Sequence, residues 1–298
     1  MLNDHTPSSK PSAEPGGSSG SATVTLTVLS AGVVRAPEVF LVPKGGVGLV
    51  AFPALFAMVN HPCAGIGLFD TGYSTRFYEA TRHFPHRLSR LVTPVRMGPQ
   101  DNAVSQLAAR GVQPDHVRWI VLSHFDSDHL GGLLDFPQAK VTCLRSAWLS
   151  VAGKTGFAAL RARLLPGLLP PDLADRLTLL DPFQGNPVGC FAASHDLFGD
   201  GSVRLVELPG HAPGHVGAIV QSLNHGRVLL AADGCWTRAG MGGALVHRRL
   251  ATSKTAQDDT YRLLERVRRE MPDVIIVPSH CPEAASEFLP NGAWRLGV

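Results

Sequence analysis

An apolar run from Val117 to Leu122 reads as a buried strand and breaks off in Ser123-His124-Phe125-Asp126-Ser127-Asp128-His129-Leu130-Gly131-Gly132. Two imidazoles and two carboxylates fall within six positions. Charge of that density behind a buried strand is unfavourable unless something compensates it, and a metal cluster is the commonest compensation. A chain carrying it must fold so that a strand end delivers the loop, held by the sheet beneath. A second burst follows at Pro209-Gly210-His211-Ala212-Pro213-Gly214-His215, and Asp233 and His280 each close a further apolar run. Together these groups outline a two-metal centre of the hydrolytic kind. A solvated acidic loop with two incidental histidines would explain the first burst alone but not the downstream groups.

The rest of the text supplies strands and helices around that loop. Alternation of Val24, Leu26 and Val28 predicts a half-buried strand over Thr23 to Ser30, and Leu55 to Val59 and Ile66 to Phe69 read as two more joined by a turn. The last of these ends at Asp70-Thr71-Gly72. A helix is predicted from Asp101 to Arg110, with Asp101 as N-cap and Gly111 at C′. A short strand is predicted at Lys140 to Leu144. The Leu/Arg-rich stretch 147–180, broken by Pro166, Pro170 and Pro171, reads as short helices covering the site. Strands resume at Val203 to Leu208, Val216 to Gln221, Arg227 to Ala232 and Val274 to Val277. An amphipathic helix runs from Thr255 or Ala256 to Met271, with Leu264, Val267 and Met271 on one face. Gly45-Gly46-Val47-Gly48 lacks the lysine of a P-loop and reads as a hairpin turn.

Bulk properties narrow the partners. A formal net charge of +3 over 298 residues argues for neither nucleic acid nor an anionic membrane surface. The longest apolar runs are too short to span a bilayer. Residues 1–22 are rich in Ser, Pro and Gly without a signal-like apolar core, which predicts a disordered tail ahead of one domain over 23–298. Five cysteines with no CxxC pair point to free thiols in a reducing, cytoplasmic compartment. A small-molecule substrate is the remaining partner class.

The ligand spacing resembles that of the metallo-β-lactamase superfamily over roughly Thr23 to the C-terminus. The resemblance implies an α/β fold, a four-layer αββα sandwich, with metals held by an HxHxDH motif, a later His, a bridging Asp and a final His. Carried onto this chain, His124, Asp126 and His211 would hold the first metal. Asp128, His129 and His280 would hold the second, with Asp233 bridging. Two divalent ions are implied, zinc first, with manganese or iron as the other choices. The Pro-Gly-His repeat at 209–215 resembles that of glyoxalase II-like enzymes and lactonases. Asp70-Thr71-Gly72 resembles a strand-end DTG whose carboxylate supports the metal loop.

The chain departs from the pattern at Asp126, where most hydrolytic members have His. The substitution adds a negative charge and favours harder metals. Flavodiiron relatives also carry a carboxylate there. The site implies a bridging water acidified between metals about 3.5–4 Å apart, whose hydroxide attacks a polarised carbonyl. Asp128 is the group expected to orient it and pass its proton to the leaving group, and Asp233 to set the metal separation. Hydrolysis of an ester-like bond follows, lactones and thioesters ahead of phosphoesters. The lactonases of this superfamily carry a Tyr three residues after the bridging Asp, where this chain has Trp236. The alternatives are a flavodiiron-like redox protein lacking its flavodoxin domain, or a non-catalytic metal-binding sensor. His215 reads as a packing residue, Cys281 as an inert buried thiol, and His61, His83, His86, His116, His195, His225 and His247 as surface or structural groups. Ser123 and Ser279 are expected to satisfy loop backbone.

Overall fold

The computed structural model describes residues 22–242 and 245–289, so the predicted tail lies outside the described residues except for its last position. Two sheets form the body. The first has seven strands in the order β4-β1-β2-β3-β5-β6-β7, namely β1 (Thr25–Pro37), β2 (Leu49–His61), β3 (Gly65–Phe69), β4 (Val95–Arg96), β5 (Val117–Val121), β6 (Lys140–Leu144) and β7 (Leu177–Leu180). The second has five in the order β12-β11-β10-β9-β8, built from β8 (His195–Asp196), β9 (Val203–Glu207), β10 (Val216–Ser222), β11 (Gly226–Ala232) and β12 (Val274–Pro278).

Apolar side chains of both sheets, among them Leu26, Val28, Leu55, Val220, Val228 and Leu230, meet in one buried cluster. Alternate residues of a strand face opposite ways. Thus Val206, Ile219 and Leu229 turn outward from that core and pack on Tyr261, Leu264 and Val267 of the helix Lys254–Glu270. Burial on both faces explains why β10 and β11 read as unbroken apolar runs. The layers are the helix–sheet–sheet–helix arrangement expected. Among the described residues no helix is long and apolar enough to cross a membrane.

Several boundaries differ from the sequence reading. The hairpin β1–β2 is longer at both strands, pairing Pro37 with Leu49, and carries an irregularity between Ser30 and Val33. There Ala31, Val33 and Val34 are all buried, so the period-two signal disappears although the strand continues. Asp101 caps a different turn: its carboxylate accepts from Gly98 N at 2.7 Å, while the helix itself is Ala103–Ala108. Residues 177–180 form an edge strand parallel to β6 rather than part of a helical cover.

Parallel pairing sets where the chemistry sits. β3 runs parallel to β5, and β11 to β12, so each pair presents its carboxyl ends at one edge. Leu55 N donates to Ser279 O (2.8 Å) and Val216 N to Ser123 O (3.2 Å), which brings those edges together across the sheet interface. The loops after β3, β5, β9, β11 and β12 therefore converge. Gly131 is required there, because a Cβ would lie 2.8 Å from both Gly72 O and Ser74 N. Backbone strain collects at the same edge, with Asp70 at φ 59° and Ala232 at φ 44°.

Candidate metal centre

Two groups of side chains face one another at the converged strand ends. Asp128, His129, Asp233 and His280 have ligand-type atoms within 4.8 Å of one another, and so do His124, His211 and Asp233. Asp233 belongs to both. Its Oδ1 lies 3.3 Å from His129 Nε2 and 3.5 Å from His280 Nε2, while its Oδ2 lies 3.4 Å from His211 Nε2. Asp128 Oδ2 completes one group at 3.1 Å from His280 Nε2 and 3.5 Å from His129 Nε2. Asp126 Oδ2 stands at the edge of the other, 3.2 Å from His211 Nε2 and 3.6 Å from His124 Nε2. Donors about 2.0–2.1 Å from a tetrahedral ion are separated by about 3.3 Å, so these spacings fit shared ions.

The hydrogen bonds around the imidazoles decide which nitrogen is free. His129 Nδ1 donates to Asp70 Oδ2 at 2.7 Å, and His280 Nδ1 donates to Pro53 O at 2.8 Å. His124 Nδ1 meets Ser123 Oγ at 2.9 Å, and that hydroxyl donates on to Asp70 Oδ2 at 2.8 Å. His211 Nδ1 meets His247 Nε2 at 3.1 Å, and His247 Nδ1 meets Tyr261 Oη at 2.7 Å. His124, His129 and His280 thus have an oxygen acceptor at Nδ1, which leaves an Nε2 lone pair aimed inward, the arrangement typical of metal-bound histidine. His211 is held by His247 at Nδ1 and faces Asp126 Oδ2 with Nε2. His124 Nε2, His129 Nε2 and Asp233 Oδ1 are buried and have no hydrogen-bond partner. Orphaned buried acceptors of this kind call for an ion, and the donor set of imidazole nitrogen and carboxylate oxygen suits zinc, iron or manganese.

Electrostatics support the same conclusion. Burial pulls the His280 imidazole down, but Asp233 and Asp128 outweigh it and push it up to about 10. His129 is likewise raised, by Asp128, Asp70 and Asp233 against its burial. Burial works to raise Asp128 and Asp233, yet the facing histidines hold both below the usual carboxylate range. Protons on His129 and His280 thus take the place that cations would fill. Raised histidines add stability fully present below about pH 6.5 and lost as pH rises through their folded values. Lowered carboxylates add stability present above about pH 4 and lost as pH falls. Burial lowers His211, His215 and His247, which costs stability as pH falls below about 6.5. Chelator-treated protein is therefore expected to melt highest near pH 6.5, at about the pH where these opposing effects meet, and to weaken towards pH 10. Added zinc should raise the melting temperature more at pH 8 than at pH 5.5, because the protons it displaces compete less at lower proton activity. A larger gain at pH 5.5 would contradict this protonation pattern.

The structure also shows what the sequence did not. His247, read as surface or structural, is fully buried and orients His211. No local motif marks it, since it comes from a helix, Leu245–Leu250, that the text does not announce. Arg163 donates from Nε to Asp126 Oδ1 at 3.2 Å and lies 2.9 Å from Oδ2, a contact with no sequence signal. Trp236 donates its indole N–H to Asp233 Oδ2 at 2.8 Å and stacks on His247 at 4.7 Å between ring centroids. Its donor is therefore spent on the central carboxylate. His215 Nε2 accepts from Asp233 N at 3.1 Å, and burial holds its ring neutral, so it braces the loop. Burial pushes the Cys281 thiol up to about 11, in keeping with an inert group. Ser123 links Asp70 to His124 and does more than satisfy backbone.

Comparison with known proteins closes the argument on family. The sequence profile of the Metallo-beta-lactamase superfamily matches residues 65–280, which span the whole cluster. The chain belongs to this superfamily. Over 238 residues it is 28% identical to the N-acyl homoserine lactonase AttM of Azorhizobium caulinodans, covering 79% of this chain and 84% of that protein. AttM of Agrobacterium fabrum matches to the same extent. Among solved structures, an N-acyl homoserine lactone hydrolase with the product N-hexanoyl-L-homoserine at its catalytic metal centre superposes with a TM-score of 0.69. It shares 20% identity, over 89% of this chain and 97% of that one. AidC, a dizinc quorum-quenching lactonase, gives 0.62 at 14% identity, over 88% and 89%. This metallo-β-lactamase superfamily hydrolase thus has lactonases among its homologues, and its αββα fold is theirs.

Proposed function

We propose that this superfamily member is a metal-dependent lactonase, with N-acyl homoserine lactones as the first substrate class. The two side-chain groups sharing Asp233, with their orphaned inward acceptors, carry the reading. His124, His211, Asp126 and Asp233 would hold one divalent ion, and Asp128, His129, His280 and Asp233 the other. When bound, such a pair supplies an acidified water and polarises a carbonyl oxygen.

The chain's own groups do the rest. Asp128 is held ionised by His129 and His280 and is slightly open, at 13% side-chain exposure, so one carboxylate can take a proton from the attacking water. As the water oxygen bonds the lactone carbonyl carbon, the acyl C–O bond breaks. Asp128 then returns the proton to the leaving alkoxide, giving a hydroxy acid. Asp233, fixed by Trp236 and His215, keeps both halves of the cluster in register. The segment 147–180 lies alongside, with Trp148 against Phe125, and would shape the pocket for an acyl chain. Thioesters remain the next substrate class. The comparisons favour neither the redox nor the sensor alternative.

Metal-replete protein is expected to open N-hexanoyl and N-decanoyl homoserine lactone, followed by proton release, and to lose that activity on exhaustive chelation. Failure to open any lactone or to cleave any thioester, in zinc, manganese or iron, would defeat this reading.

A further inference from the structure

Asp126, the position at which this chain departs from the usual motif, is met by a guanidinium from the neighbouring segment. Arg163 closes the helix Gly156–Arg161 at φ 58°, in a left-handed helix stop where its N–H donates to Leu160 O and Leu164 N–H to Ala159 O, each at 3.0 Å. Its Nε donates to Asp126 Oδ1 at 3.2 Å and lies 2.9 Å from Oδ2 in the ion pair. Nη1 donates to Leu250 O at 2.8 Å, and Nη2 to His211 O at 2.9 Å. The rigid fork is therefore engaged on three sides: on the carboxylate, on the backbone of a candidate ligand, and on the end of the helix Leu245–Leu250.

Arg163 thus pairs with the carboxylate through Oδ1, while Oδ2 faces His211 Nε2 and His124 Nε2. Three carboxylates converge on the cluster, Asp126, Asp128 and Asp233, and Arg163 cancels the charge of one. We propose that Asp126 and Arg163 act as a neutral pair, with Arg163 as a positioning residue that sets the cation preference of the first site and docks the 147–180 segment against it. This inference rests on the metal-centre reading above. With the guanidinium present, the first site offers an oxygen donor without net charge, which leaves its choice to the two imidazoles and favours zinc. Removing Arg163 frees a full negative charge beside them and shifts preference towards harder ions such as manganese.

The test is a competition. Metal-stripped parent, Arg163→Met, Arg163→Lys and the double variant Arg163→Met/Asp126→Asn are equilibrated with equal zinc and manganese, then analysed for metal content. Arg163→Met is expected to raise the manganese-to-zinc ratio by about tenfold or more, a usual scale for groups that orient ligands. Arg163→Lys, which keeps the charge, and the double variant, which removes both charges, should stay near the parent. A parental ratio in Arg163→Met overturns the proposal while leaving the metal centre standing. So does a double variant shifted as far as Arg163→Met, and Arg163→Gln, which also removes the charge and must then raise the ratio, takes its place if Arg163→Met does not fold. A parent that takes up no metal overturns the metal centre and this proposal together.

Discussion

Asp128→Asn is expected to lower kcat for lactone opening by about a hundred- to ten-thousandfold, the range for loss of a positioned general base. The amide keeps the shape and one oxygen donor, so the 3.1 Å approach to His280 Nε2 can persist through Oδ. It cannot take a proton from water at neutral pH. The two roles assigned to Asp128 therefore separate. If metal content stays at the parental level while kcat collapses, the carboxylate acts through proton transfer. If zinc is lost in step with rate, Asp128 matters mainly as a ligand, and adding excess zinc should restore much of the activity. A variant within tenfold of the parent at every zinc concentration would remove Asp128 from the mechanism. Melting temperature checks that the fold survives, since Asp128 shares the short helix Ser127–Leu130 with Leu130, which belongs to the main apolar cluster.

Why the candidate ligands were legible and their supports were not has a physical basis. Ligand-type residues cluster in sequence because one loop after one strand can place several donors around an ion. His124, Asp126, Asp128 and His129 come from a single strand end in this way. His211 stands in a second burst and Asp233 and His280 each close an apolar run, strand ends gather at a sheet edge, and the resemblance to the superfamily implied their roles as ligands. The groups that orient them obey no such rule. His247 lies 36 residues from His211 in the chain, and Arg163 lies 37 from Asp126. Any surface that packs against the edge can supply them, so only the fold reveals which residue arrives. Trp236 illustrates the limit. Its position three residues after Asp233 was readable, but the direction of its N–H, towards Asp233 Oδ2, depends on the stacking against His247. In the fold, strand identity was readable wherever period two or an unbroken apolar run held. It failed at the β1 irregularity and at the two-residue edge strands β4 and β8, which are too short to show a pattern.

Asp70 is the support whose loss should be felt most widely. It is 1% exposed and receives three donors: Ser123 N at 2.8 Å, Ser123 Oγ at 2.8 Å and His129 Nδ1 at 2.7 Å. One carboxylate thereby orients His129 directly and His124 through the serine, one candidate ligand in each half of the cluster. Asp70→Ala would leave those donors unpaired in a buried site, and breaking such a pair costs about 3–5 kcal/mol. The fold should be markedly destabilised, with the midpoint of urea unfolding falling accordingly. Asp70→Asn is the sharper test because it preserves size. Its amide oxygen can still accept from Ser123 N, but its NH₂ then faces the His129 Nδ1–H, donor against donor. The ring escapes by moving its proton to Nε2, and a protonated Nε2 cannot bind a cation. Asp70→Asn is therefore expected to lose far less stability than Asp70→Ala while holding zinc about 10- to 100-fold more weakly. The measurement is zinc affinity by competition with a chromophoric chelator, alongside urea unfolding of the metal-free protein. Equal zinc affinity in Asp70→Asn and parent would show that Asp70 supports the backbone of the loop and does not set the tautomer of His129.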